Sequence, residues 1–193
     1  MSPSLLAQLR GFAVRHRIPL GFFAMPLFVL TVKPTFLSLG LGAPMALFGL
    51  AFRTAASGSL RKNKALARHG LYRLCRNPLY FGSFVLLVGF TVMGGRWIHL
   101  ATFPPLFLFV YDGIIQKEEI WLATKFPEEF PSFLISTPRF FPHSLPWTDL
   151  RRDLREDFQW QLVFKHREYE AWIGALSMAG LLGFLHYLNW RLF

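Results

Sequence analysis

Five long apolar stretches, each nearly free of charge, restrict this chain to very few folds: Ile18 to Val32, Pro34 to Phe52, Leu79 to Met93, Trp97 to Ile115 and Trp172 to Leu188. A segment that crosses the hydrocarbon core of a bilayer needs about 20 apolar residues, with about 17 the practical minimum, so two of the stretches are short for the task. No water is present there to bond backbone amides, and a helix satisfies them within its own segment. Hydrophobic side chains make up 53% of the 193 residues and charged ones 17%, too apolar a balance for a soluble domain of this size. The expected fold is all-α: a polytopic transmembrane helical bundle of about five spans, carrying an N-terminal amphipathic helix and a polar region at its cytoplasmic side.

Along the chain this reading gives one membrane domain, 1–193. Residues 1–17 interleave Leu5, Leu6, Leu9, Phe12 and Val14 with Arg10 and Arg15, which suits a short helix lying on the membrane. Arg15-His16-Arg17 ahead of a short apolar run resembles the start of a signal sequence. No small-x-small cleavage site precedes Lys33 and a second apolar run follows at once, so 18–53 is read as a helical hairpin turning at Lys33-Pro34. A polar connection, loop-like at Ser57-Gly58-Ser59, leads to the motif-rich region 68–142, where Pro104-Pro105 should kink the fourth span. Residues 143–170 form the most hydrophilic segment, expected on the cytoplasmic surface, and 171–193 the last span.

Charge placement orients the bundle. With the N-terminus inside, 18 of the 21 Lys and Arg fall on the cytoplasmic side and only Lys33, Arg96 and Arg191 outside, the bias that holds loops inward. The chain is therefore expected in the inner, cytoplasmic membrane. Its net charge of +10 borders apolar spans instead of forming one soluble face, so anionic lipid is the expected partner and nucleic acid is not. One cysteine, Cys75, excludes an intrachain disulfide and any multi-cysteine zinc site. With no His or Cys cluster at ligand spacing, no metal is expected.

Three polar groups share one predicted depth at the inner face: Arg68 to Tyr80, then Asp112 with Glu118-Glu119, then Arg139. Ionisable residues at such a depth are costly unless paired or hydrated, which makes them functional candidates. The order of motifs is also distinctive: Gly70-Leu71-Tyr72-Arg73, Arg76-Asn77-Pro78-Leu79-Tyr80-Phe81-Gly82, Glu118-Glu119, rings at Phe126, Phe130 and Phe133, and Pro138-Arg139-Phe140-Phe141-Pro142. In combination they resemble the integral-membrane, S-adenosylmethionine-dependent methyltransferases, a family that includes isoprenylcysteine carboxyl methyltransferases and phosphatidylethanolamine N-methyltransferases. The resemblance covers roughly Gly40 to Pro142. Asn77 stands where the carboxyl methyltransferases usually carry His, and Asn77 to Ser83 looks more like the phospholipid enzymes. The tail after Glu119 looks more like the carboxyl methyltransferases.

What the resemblance implies is methyl transfer from S-adenosyl-L-methionine to a lipid, prenylated or lipid-like acceptor, with 68–142 as the methyltransferase core. Isoprenylcysteine carboxyl methylation is the first label, phospholipid N-methylation its alternative, and a non-catalytic scaffold or small transporter the reading from another class. The implied cofactor site draws on Gly40, Gly42, His69, Gly70, Tyr72, Arg76, Asn77, Pro78, Tyr80, Glu118 and Glu119. Arg76, Asn77, Glu119 and His69 are the catalytic candidates, and Arg139 and Phe140 face the acceptor. Arg76 or Arg139 suits a carboxylate through a bidentate pair, Glu118 or Glu119 an ammonium or ribose, and the rings a sulfonium. Gly40-Leu41-Gly42 reads equally well as a close-packing site between helices.

Overall fold

The computed structural model describes residues 5–61, 65–143 and 147–192, and every regular element among them is a helix. In chain order these are α1 (Leu5–Arg15), α2 (Arg17–Thr31), α3 (Phe36–Ser59), α4 (Leu71–Leu74), α5 (Pro78–Met93), α6 (Trp97–Lys125), α7 (Phe130–Ser136), α8 (Trp147–Asp157), α9 (Trp160–Lys165) and α10 (Tyr169–Leu192). The chain is a helical membrane bundle. All five apolar stretches are helical, but only α3, α6 and α10 are each long and apolar enough to cross a bilayer. A fourth crossing arises if α1 and α2, bent by 78° at His16, count as one broken span. Against the expected five, three or four helices thus pass on length and composition; the short one is α5, whose 16 residues at 1.5 Å per residue reach about 24 Å.

Small residues explain how short α5 is held. Gly42, Ala46 and Gly49 of α3 face Gly82 and Gly89 of α5 so closely that a Cβ on Gly42 would stand 2.5 Å from Gly89 O, and one on Gly49 2.4 Å from Leu86 N. Backbones in such contact gain dispersion and lose no side-chain entropy, the usual means of helix association in lipid. At the far end of the bundle Lys33 N donates to Gly94 O at 2.9 Å and Ser38 Oγ donates to Met93 O at 3.1 Å. Gly95 has φ of +71°, and a Cβ there would lie 2.1 Å from Lys33 O, so this turn admits only glycine. Thr35 and Ser38 cap α3 reciprocally.

One expectation changes at the other end. Helix α3 does not stop at Phe52 but continues to Ser59, because Ser57 is buried and Gly58 leaves room for the Phe158 ring, which a Cβ would meet at 2.2 Å. Pro104 and Pro105 lie inside α6, which runs as one helix from Trp97 to Lys125. Pro131 lies in the first turn of α7, where a proline fits. The hydrophilic 143–170 segment folds back over the bundle: Leu150 and Leu154 of α8 cover the buried Ala56, Leu71, Tyr72 and Leu74.

The N-terminal helix also does more than lie on a surface. Its buried Ala13 and Val14 turn toward the bundle while Leu5, Leu9 and Phe12 face outward. Val14 reaches Gly113 of α6, where a Cβ would come within 2.8 Å of its Cγ2.

Candidate functional site

The site is assembled where the chain returns from α3 to α5. Gly70, at φ +58°, turns the chain into the single turn of α4, and its N–H donates to the buried Asp153 of α8 at 3.2 Å. Asp153 also pairs with Arg73 at 3.1 Å. Beyond α4 the chain runs beside the 137–143 tail. Arg76 N donates to Pro138 O at 2.8 Å, His143 N to Leu74 O at 3.1 Å, and Asn77 Nδ2 to Arg139 O at 2.9 Å. The Asn77 side chain therefore makes no helix cap; it fastens the tail, while Pro78 opens α5. Rings complete the seam, with Phe81 and Phe84 edge-on to Phe140 and Phe141.

This seam carries an alternating chain of charges. Arg76 Nε and Nη2 both donate to Glu119 Oε1, at 3.1 and 2.9 Å, while Nη1 donates to the carbonyls of Leu134 and Thr137. Arg139 Nε stands 3.1 Å from Glu119 Oε2 without aiming its N–H at it, and Arg139 Nη1 pairs with Asp112. Asp112 in turn pairs with Arg10 of α1. Glu119 is thus enclosed between two guanidiniums. In a medium of low dielectric such a chain holds together because each charge faces an opposite one.

Beside it opens a cavity of about 370 Å³, in the range of small-molecule sites. Tyr72, Arg76, Asn77, Pro78, Tyr80 and Glu118 line it, together with Arg53, Ser83, Tyr111, Trp121, Phe126 and Phe133. Tyr80 Oη donates to Glu118 Oε2 at 3.1 Å, and Glu118 has no ion-pair partner among the described residues. Burial, reinforced by the charge of Glu118, raises the Tyr72 phenol far above its ordinary pKa, so it stays a neutral donor. On the α3 wall Arg53 is gripped by Glu168, Nε to Oε1 at 2.7 Å and Nη2 to Oε2 at 3.1 Å, and its Nη1 donates to Ser83 Oγ.

Six of the residues expected at a cofactor site thus meet around one cavity, and five do not line it. Gly40 has nothing within 4 Å of where a Cβ would be, and Gly42 is packed on α5 at the far end; both lie away from the cavity because α3 carries them there. Exposed His69 faces a broader polar cleft of about 940 Å³ with Arg68 and Arg73. Gly70 is buried behind that cleft, and Glu119 sits behind the cavity wall. Arg139 and Phe140 line a separate, mainly apolar cavity of about 270 Å³ with Asp112 and Phe141, and Tyr111 borders both cavities.

Sequence reasoning passed over Arg53, Ser83, Tyr111, Asp153 and Glu168. The structure gives Arg53 its weight: α3 continues for six residues beyond it, so its charge lies within the helix and needs a partner. Its partner lies 115 residues away, and no local pattern reveals that.

The fold and site define a class, that of polytopic helical membrane proteins with a cavity of mixed polar and apolar lining at one end of the bundle. Residues 50–129 match the phospholipid methyltransferase family, and the chain belongs to that family. It is 34% identical over 160 residues to the cobalt-zinc-cadmium resistance protein CzcN of Cupriavidus metallidurans, covering 74% of this chain and 73% of the relative. It is 31% identical over 157 residues to the nickel-cobalt-cadmium resistance protein NccN of Alcaligenes xylosoxydans xylosoxydans, with 74% and 73% covered. No solved structure matches. The family match takes in Arg53, the Gly70 to Gly82 run and Glu118-Glu119, and leaves Arg10, Gly40, Gly42, Arg139 and Glu168 outside.

Proposed function

We propose that the protein transfers a methyl group from S-adenosylmethionine to a lipid or lipid-like acceptor, with the 370 Å³ cavity as its cofactor site, facing the cytoplasm. One observation carries the reading: Tyr72, Arg76, Asn77, Tyr80 and Glu118, separated by up to 46 positions in sequence, surround a single cavity and belong to the segment that defines the family. The donor set suits the cofactor. Guanidinium fits its carboxylate, Glu118 an ammonium or ribose hydroxyl, and the faces of Tyr80, Tyr111 and Trp121 a positively charged centre.

When bound, the cofactor supplies an electrophilic methyl group. The protein's own contribution is alignment and exclusion of water. Asn77 and the Arg76–Glu119 pair fix the tail against the start of α5 and so set the width of the cavity. Tyr111 stands between this cavity and the apolar one beside Phe140 and Phe141, which suits the chain of an acceptor arriving from the bilayer. An amine acceptor has to lose a proton before attack. Glu118, held by the Tyr80 hydroxyl, is the carboxylate in the cavity, whereas His69 faces a different cleft. The family match is to phospholipid methyltransferases, so phospholipid N-methylation moves ahead of the isoprenylcysteine label.

The names of the two relatives attach them to metal resistance. Among the described residues no group of three His, Cys, Asp or Glu side chains is placed to hold a metal ion, so we place any such role of this chain in modification of a membrane lipid. Titration calorimetry of the detergent-purified protein tests the cofactor assignment. S-adenosylhomocysteine should bind at micromolar concentrations, and no binding up to millimolar concentrations overturns the enzyme reading.

A further inference from the structure

We propose that Arg53, held by Glu168 and Ser83, receives the oxyanion carried into the cavity, and that this oxyanion is the carboxylate at the amino-acid end of the cofactor. The inference rests on the cofactor reading above and replaces the sequence-based choice of Arg76 or Arg139 for this task.

A guanidinium has five N–H donors. Those of Arg76 are largely spent: Nε and one Nη2 hydrogen on Glu119, and Nη1 on the carbonyls of Leu134 and Thr137. One N–H remains, and two parallel bonds to a carboxylate need two. Arg139 does not line the cavity and is paired with Asp112. Arg53 lines it and commits one hydrogen each from Nε and Nη2 to Glu168 and one from Nη1 to Ser83. Its second hydrogens on Nη1 and Nη2 remain, and those two nitrogens form one edge of the fork.

The surrounding structure prepares Arg53 for this. Glu168 is 5% exposed and is itself set in place by the chain reversal at Arg167, φ 57°, and by its N–H donating to Val163 O at 3.1 Å. The arginine is thus locked from two sides before any ligand arrives, so little rotamer freedom is lost on binding. Its charge, balanced by Glu168, can stay at this depth without a ligand. Elsewhere in the lining Glu118, which has no ion-pair partner among the described residues, stands with Tyr80, Tyr111 and Trp121 to meet positive charge. Glu168 lies beyond the family-matched segment, so the C-terminal part of the chain takes a direct share in positioning the cofactor-binding arginine.

The test uses the full-length protein in detergent and calorimetric binding of two probes, S-adenosylhomocysteine and its decarboxylated analogue. Arg53→Gln combined with Glu168→Gln removes both charges and leaves no orphan. Arg53→Lys keeps the ion pair, removes the fork, and decides the matter if the double variant does not fold. A charge-assisted bidentate contact is worth about tenfold or more in affinity. The double variant should lose at least about tenfold for S-adenosylhomocysteine and nothing for the decarboxylated analogue, and Arg53→Lys should show the same selectivity with a smaller loss. Unchanged affinity for S-adenosylhomocysteine, or an equal loss for both probes, overturns the assignment. So does unchanged cofactor affinity with a raised half-saturating concentration of phosphatidylethanolamine vesicles, which moves the oxyanion to the acceptor's phosphate. A wild-type protein that binds neither probe overturns the cofactor reading itself.

Discussion

Glu119 does not line the cavity, and its two oxygens face arginines, Arg76 at 2.9 Å and Arg139 at 3.1 Å; we propose that it positions the tail against α5. Glu119→Ala strands Arg76, which is 10% exposed, beside Arg139, and should cost about 3 kcal/mol. Thermal unfolding in detergent checks this, and a cost below about 1 kcal/mol would contradict the ion-pair chain. Cys75 gives a second prediction at this scale. It is fully buried, and burial pushes its thiol from 9.0 up to about 12. The folded state therefore holds the proton more tightly than the unfolded one. This contribution to stability is complete below pH 9 and is lost as pH climbs from 9 toward 12. At pH 8 maleimide should leave Cys75 unlabelled in the folded protein and label it once the chain is unfolded; rapid labelling of the folded form would contradict its burial.

Among the elements, the α3–α5 pair governs everything downstream, because α5 is too short to be placed by the bilayer and takes its position from the glycine-lined face of α3. Gly49→Leu drives side-chain atoms into the backbone of Leu86, 2.4 Å from the new Cβ, and should cost at least about 3 kcal/mol, read as a loss of monodisperse protein or a large fall in Tm. Gly40→Ala meets nothing within 4 Å and should alter neither Tm nor cofactor affinity. A cofactor effect there would restore the Gly40-Leu41-Gly42 reading. The long apolar helices were legible in the sequence because charge-free runs mark them directly, whereas α4, α7, α8 and α9 have no such run. The extent of α3 was not, because Arg53 ends the charge-free run while its compensation by Glu168 is non-local. The docking of α1 was also hidden: Arg10 looks like an interfacial cation until α6 brings Asp112 to it.

For the whole molecule, the convergence of Arg76, Asn77, Tyr80, Glu118 and Glu119 near one end of the bundle was readable from motif order and predicted depth. The division of labour among them was not, since which arginine is consumed by carboxylates and which keeps free donors depends on contacts across the chain. The proposed orientation keeps the basic loops on the cytoplasmic side. Cysteine introduced at exposed Glu128 should react with an impermeant maleimide only after cells are permeabilised, and at exposed Arg96 in intact cells. The opposite pattern would place the cavity on the outer face. Methyl transfer to a lipid is tested by incubating membranes containing the protein with methyl-labelled S-adenosylmethionine and extracting them into organic solvent. Label should appear in an extractable lipid product, at least about tenfold reduced in the Arg53→Gln/Glu168→Gln variant; the absence of protein-dependent label from the lipid fraction would contradict lipid methylation.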